Sequence, residues 1–367
     1  MRINSLTLQN FHNYTEQRVD FAPDVNVVVG ENAQGKTNLL EAVLYLSRGK
    51  SNRARSDREL IRFGESEARV AGELFSRGRD FTVEARLFSG KRRRLSVNQV
   101  AVRRLGELSD VLGTVFFCPE DLFLIRDGAA ARRRFMDQSL CQLRPRYAAA
   151  LTEYNRLYEH KTRILRDSEE HPSLLDALPE FNTRMALCGA VLIHYRARFC
   201  ARLGYFAGIA HKECSGGREE LSLRYETVKT VVDPFAEQGV LYEQLLTHQR
   251  AHEAAERASR LCLSGPHKDD IAVDIGGENA RQFSSQGQTR TAALAFKLAE
   301  RDVYQEVMGR SPVLLLDDVL SELDPRRQEY VLNRISGGQV FITCCEEDRL
   351  GKLVAGKVLH IEGGRVV

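Results

Sequence analysis

One stretch constrains this chain more than any other: Gly30-Glu31-Asn32-Ala33-Gln34-Gly35-Lys36-Thr37. It follows an apolar, β-branched run, Val25 to Val29, and leads into a helical pattern from Asn38 to Leu46. Strand, glycine loop and helix in that order is the context in which a G-x-x-x-x-G-K-[ST] pattern carries meaning. Gly30 and Gly35 let the backbone bend so that consecutive N–H groups converge on a phosphate. The helix start adds the positive end of its dipole. Lys36 is expected to reach the β- and γ-phosphates and the Thr37 hydroxyl to ligate Mg²⁺. The alternative is a glycine-rich turn with no ligand.

A second pattern lies near the other end. Val313 to Leu316 is an apolar strand ending in Asp317-Asp318. Such a strand aims its last carboxylate at the sheet edge where a phosphate loop lies. Asp317 is then expected to hold Mg²⁺ and Asp318 to position or polarise the attacking water, with Lys36 as the third catalytic residue. Read alone, the same residues could be a strand running into an acidic turn. Ser284 to Gln288 precedes a helix through Glu306. A small residue and a hydroxyl at a helix start make an anion site, although Ser is also a good cap without any ligand.

Composition bounds the rest. The chain has 367 residues, 43% hydrophobic and 28% charged, with a net charge of only +3. One large or two moderate domains are expected, with no global basic field. Eight cysteines are scattered without a C-x-x-C pair, which speaks against zinc and fits a reducing cytoplasm. The start reads as a strand and not a secretory leader, and no apolar run approaches a membrane span. Basic residues gather at Arg48 to Arg58, including Arg53 and Arg55, at Lys91-Arg92-Arg93-Arg94, and at Arg132-Arg133-Arg134. The first is a polar, basic loop and a candidate for phosphate contact, and the second is either a solvated turn or a phosphate-contacting patch. The third either touches nucleic acid or pairs with acids inside the fold.

Alternating strands fill Ala68 to Phe75 and Asp80 to Phe88, and Arg18 to Phe21 reads as a strand after a turn at Phe11 to Tyr14. Helical periods run from about Arg146 to Arg166, Leu174 to His211 and Gly239 to Arg260, without sustained heptads. The expected organisation is an α/β fold. Residues 1–145 hold the first half of an ATPase domain, 146–262 an inserted helical lobe, and 263–367 the second half.

The order of motifs resembles the RecF family of SMC-like ABC ATPases. The resemblance rests on Asn10-Phe11-His12-Asn13-Tyr14, Gly30 to Asn38, Pro119-Glu120-Asp121-Leu122, Arg132 to Asp137, Ser264-Gly265-Pro266-His267, Ser285 to Thr291 and Asp317 to Asp324. It implies an ABC/SMC-type head: a mixed phosphate-loop sheet, an antiparallel β subdomain and an inserted helical subdomain. It implies ATP and Mg²⁺, held by Gly30, Glu31, Asn32, Ala33, Gln34, Gly35, Lys36, Thr37 and Asn38. Ser285, Gly287 and Gln288 would serve as a signature motif that caps the γ-phosphate on a second copy. It also implies an ATP-dependent homodimer and single- or double-stranded, gapped DNA, met by Arg53, Arg55 and Lys91 to Arg94. The implied partners are RecR, RecO and RecA, in DNA damage repair, replication and the SOS response. The implied activity is a weak, DNA-stimulated ATPase used as a switch. A non-hydrolysing scaffold and a transporter-type ATPase subunit are the alternatives. Three departures stand out: His12 where the family usually has Arg, Ser284 and Gln286 within the signature, and Cys344-Cys345 where transporters carry a switch histidine.

Overall fold

The computed structural model describes residues 1–335, 337–345 and 356–367. Its contacts divide into two compact units, Met1–Leu122 with Glu300–Val367, and Phe123–Ala299.

In the first unit the β-branched run Val25–Val29 forms a strand with parallel neighbours on both sides, Val340–Cys344 and Lys357–Glu362. The sheet continues through Val313–Leu316 and Thr114–Phe117, both parallel, and ends on the other side with the antiparallel piece Arg365–Val366. The four residues Val313–Leu316 are all buried, as expected of strands covered on both faces. A second sheet is antiparallel throughout, in the order Tyr14–Asp20, Arg2–Phe11, Glu67–Ser76, Arg79–Phe88, Arg94–Val97, Val100–Ala101. The helix Lys36–Arg48 touches strands of both sheets. Leu39, Leu40, Val43 and Leu46 join Leu6, Leu8, Val70 and Phe341 in one core. This is the mixed phosphate-loop sheet with its antiparallel β subdomain.

Two local readings change. Tyr14 is already strand, paired with Phe11 across a two-residue turn in which His12 takes φ 50. The expected turn is therefore shorter and the second strand begins earlier. The helix runs on to Arg48, whose side chain is buried and donates to the Thr114 carbonyl at 3.3 Å. Arg48 consequently leaves the basic loop, because two further helical residues carry it into the buried face.

The second unit is the helical subdomain. Its long helices are Ala129–Leu143, Pro145–Asp167, Leu178–Ser215 and Gln238–Ser259, and the helix Gln286–Met308 begins here. A small antiparallel sheet carries Glu278–Asn279, Asp270–Ile275 and Leu221–Glu226. Its interior is unusually ionic. Lys161 and Glu256 pair at 2.6 Å, both fully enclosed. Arg196 reaches Asp137 and Asp269, each at 2.8 Å. Such pairs are costly to break because removal of one partner strands a buried charge. His267 accepts or donates at 2.8 Å with the Tyr154 hydroxyl, and burial pushes its pKa down to about 4. Among the described residues, no helix is long and apolar enough to cross a membrane.

Candidate nucleotide site

The loop after Val29 is shaped from outside as well as by its own glycines. Gly35 sits at φ +120, and a Cβ there would lie 2.7 Å from Asn13 Nδ2. Asn13 Nδ2 donates to the Gln34 carbonyl at 2.7 Å, and Tyr14 Oη donates to the Gly35 carbonyl at 3.0 Å. Asn38 Nδ2 donates to Asn13 Oδ1 at 2.9 Å. From the C-terminal hairpin, Gly363 N donates to Gln34 Oε1 at 2.6 Å and Gly364 N to the Gln34 carbonyl at 3.0 Å. Glu31, Asn32 and Ala33 stand exposed at the tip.

Among the described residues, no side chain caps the start of the helix Lys36–Arg48. Its first N–H groups are therefore left for a ligand, which is what an anion site requires. Lys36 is buried and folds back over the loop, with Nζ donating to the Gly30 carbonyl at 2.7 Å and the Glu31 carbonyl at 3.1 Å. Cys345 Sγ lies 3.5 Å from the same ammonium, and its thiol donates to Asn32 Oδ1 at 3.1 Å. A cavity of about 430 Å³ opens here, bounded by Gly30, Glu31, Gln34, Cys345, His360 and Glu362. His12 turns to Glu41 at 2.9 Å, a carboxylate that also takes the Ser51 hydroxyl.

Asp317 joins this group from the neighbouring strand. Its Oδ1 accepts from Thr37 Oγ1 and from Thr343 Oγ1, both at 3.0 Å. Thr343 Oγ1 in turn accepts from Asp318 N at 2.8 Å. Burial raises the Asp317 pKa, and the two hydroxyls work against that rise. Asp318 adopts the left-handed conformation at φ 51, which turns the chain sharply just past the strand. A hydroxyl and a carboxylate oxygen converging beside a lysine are hard oxygen donors, the set that suits Mg²⁺.

Ser285, Gly287 and Gln288 belong to the helical unit. There Ser285 Oγ accepts from Gln288 N at 3.2 Å, and Gln288 Oε1 accepts from Ser285 N at 2.8 Å. This is a reciprocal capping box at the start of the helix Gln286–Met308. Ser285 is exposed.

The basic runs separate. Lys91, Arg92 and Arg94 are exposed, and Lys91 Nζ rests 4.2 Å from the Phe88 ring centre. Arg93 is only half-exposed and holds Asp57 at 2.8 Å, so part of its charge is spent inside the fold. Arg53 and Arg55 are exposed. Arg103, unremarked in the sequence reading, lines a groove of about 440 Å³ with Lys91, Arg92 and Arg93. Arg132 goes the other way: it is buried and grips Asp270 with two bonds, at 2.7 and 2.8 Å. Arg133 donates to the Asp269 carbonyl at 2.6 Å, and Arg134 alone of the three is exposed.

Asn13, Tyr14, Thr343 and the Gly363-Gly364 turn are the residues at the loop that sequence spacing did not assign. The Asn10 to Tyr14 run was visible as a motif, without a role. The strand ending at Thr343 and the final hairpin are legible as elements, but their part in the site comes only from strand order.

Comparison with known proteins agrees across the whole chain. Residues 2–361 match the family described as RecF/RecN/SMC N terminal domain. The DNA replication and repair protein RecF of Agathobacter rectalis is 37% identical over 370 residues, covering 100% of this chain and 99% of that one. The protein of the same description from Lachnoclostridium phytofermentans is 36% identical, covering 98% and 99%. The solved structure of the recombination mediator protein RecF-ATPrS in the RecFOR pathway superposes with a TM-score of 0.93 at 32% identity, covering 100% of this chain and 97% of that one. An Smc head domain from Pyrococcus furiosus shares the fold, with a TM-score of 0.57 at 16% identity, covering 100% and 95%.

Proposed function

The chain belongs to the RecF family, and from that premise we propose that it is an ATP-dependent DNA-binding protein of replication and recombinational repair. In this reading it pairs with a second copy around ATP and binds gapped DNA in that state. It assists the placement of RecA there together with RecR and RecO. Hydrolysis is slow and DNA-stimulated, and it dissolves the pair, which makes the protein a switch.

The observation that carries the ATP part is the convergence of Thr37 Oγ1 on Asp317 Oδ1 at 3.0 Å beneath an uncapped helix start that holds Lys36. Thr37 and Asp317 would hold Mg²⁺, whose charge offsets that of the phosphates when bound. Lys36 exchanges its bonds to the Gly30 and Glu31 carbonyls for phosphate oxygens. Asp318 orients water. Exposed Arg53, Arg55, Lys91, Arg92 and Arg94 support sequence-blind contact with DNA phosphates. A second reading, ATP binding with no turnover, is favoured by one feature: Cys345 stands against Lys36 where transporter-type ATPases carry a switch histidine.

The test is hydrodynamic sizing with ATP, ADP or no nucleotide, each with and without DNA, on the wild type and on Ser285→Arg. Pairing only with ATP, strengthened by DNA and lost in Ser285→Arg, is expected. A wild type that stays single with ATP, or a Ser285→Arg protein that still pairs, overturns the trans-capping arrangement. Turnover measured in the same samples separates the switch from the inert scaffold.

A further inference from the structure

The reciprocal cap at Ser285 has a third member that lies far away in sequence. Gln288 uses its carbonyl oxygen to accept from Ser285 N, and its Nε2 donates to Glu219 Oε1 at 3.0 Å. Glu219 Oε2 in turn meets Nε2 of His211 at 3.2 Å. His211 is wholly enclosed in the helix Leu178–Ser215, and Glu219 is anchored in the turn that follows, with its own N–H donating to Ser215 Oγ at 3.3 Å.

The chemistry of an amide makes this contact directional. A side-chain amide has one accepting end and one donating end. Turned over, Gln288 would point its NH₂ group at the Ser285 N–H and its oxygen at a carboxylate, two repulsive contacts. Glu219 accepts only, so it selects the orientation in which Gln288 closes the cap. With the cap closed, Ser285 Oγ already accepts from Gln288 N, and its single proton is left to donate outward. That is the state in which a serine can meet a phosphate oxygen.

We infer that Glu219 is a positioning residue for Ser285, acting through Gln288, and that it ties the composite ATP site to the long helix of the helical subdomain. This rests on the reading that Ser285 caps ATP held by a second copy. It extends that reading by giving the helical unit a direct mechanical hold on the capping serine.

Two variants of nearly equal size test it. Glu219→Gln keeps an oxygen that can accept from Gln288 Nε2 and an NH₂ that can face His211. Glu219→Met keeps the bulk and loses the acceptor. The readout is the dissociation constant of the ATP-dependent pair, from sedimentation at several protein concentrations, with Ser285→Arg as control. Glu219→Gln is expected within about twofold of wild type, and Glu219→Met is expected to weaken pairing about tenfold, the share of one charge-assisted hydrogen bond. In a Gln288→Ala background the Glu219→Met loss should shrink to near nothing. Equal behaviour of the two Glu219 variants, or a full Glu219→Met loss without Gln288, overturns the inference. Should Ser285→Arg itself pair normally, the trans-capping reading fails, whatever the Glu219 variants do. If Ser285→Arg abolishes pairing while Glu219→Met does not, Glu219 alone is excluded.

Discussion

The phosphate loop and the Ser285 turn both present a helix N-terminus, and they finish it in opposite ways. At the phosphate loop no side chain among the described residues caps the helix, and the loop is braced instead by Asn13, Tyr14 and the Gly363-Gly364 turn. At Ser285 the cap is closed in both directions by Gln288. The open end has unpaired N–H groups to offer and therefore depends on an anion to complete it. The closed end is complete without a ligand and has one hydroxyl proton to add. Under the proposed function the first would hold a ligand and the second would recognise one already held.

The largest effect should come from the open end. Lys36→Arg keeps the charge but replaces a compact ammonium, enclosed by two carbonyls, with a planar fork. ATP turnover is expected to fall by about 100-fold or more, with the unfolding midpoint unmoved. Unchanged turnover would remove Lys36 from the site and the contrast with it. A smaller effect concerns how the helical unit responds to acid. His267 has its pKa lowered to about 4 by burial, from an ordinary 6.5. A depressed histidine contributes stability above 6.5 and loses it as pH falls towards 4, by up to about 3 kcal/mol. Urea unfolding should therefore show the margin of wild type over His267→Gln narrowing across that window. A constant margin would mean that His267 does not stay neutral in the folded state. The smallest effect is at the closed end. Ser285→Ala removes the cap on the Gln288 N–H and should cost about 1 kcal/mol in chemical unfolding. A neutral result would make the cap dispensable and leave Ser285 no local role.

The phosphate loop was legible because its constraint is local: two glycines, a lysine and a hydroxyl at fixed spacing between a strand and a helix. The mixed sheet and the antiparallel subdomain were legible for a similar reason, since period-two and all-apolar runs mark half-buried and fully buried strands. The basic runs were legible only as open alternatives. Lys91 and Arg92 face solvent, while Arg132 takes the inward alternative and closes on Asp270. Its partner lies 138 residues away, beyond any local pattern. Arg48 escapes the periodic reading because helix ends are the least certain part of such a signal, and two more helical residues decide which way its side chain faces. Glu219 gave no signal at all. Its meaning lies in an amide whose two ends only tertiary packing can orient.

The order of strands around Val25–Val29 carries one more consequence. Both of its neighbours, Val340–Cys344 and Lys357–Glu362, come from the last stretch of the chain. On the ribosome the strand beneath the glycine motif has nothing to pair with until about 300 further residues have been made, a wait on the order of half a minute. Through that interval a strand that is apolar except for Asn26 has both edges open. A deletion that takes Lys357–Glu362 and the Gly363-Gly364 turn, far from the glycines in sequence, removes one neighbour of that strand and both backbone braces on Gln34.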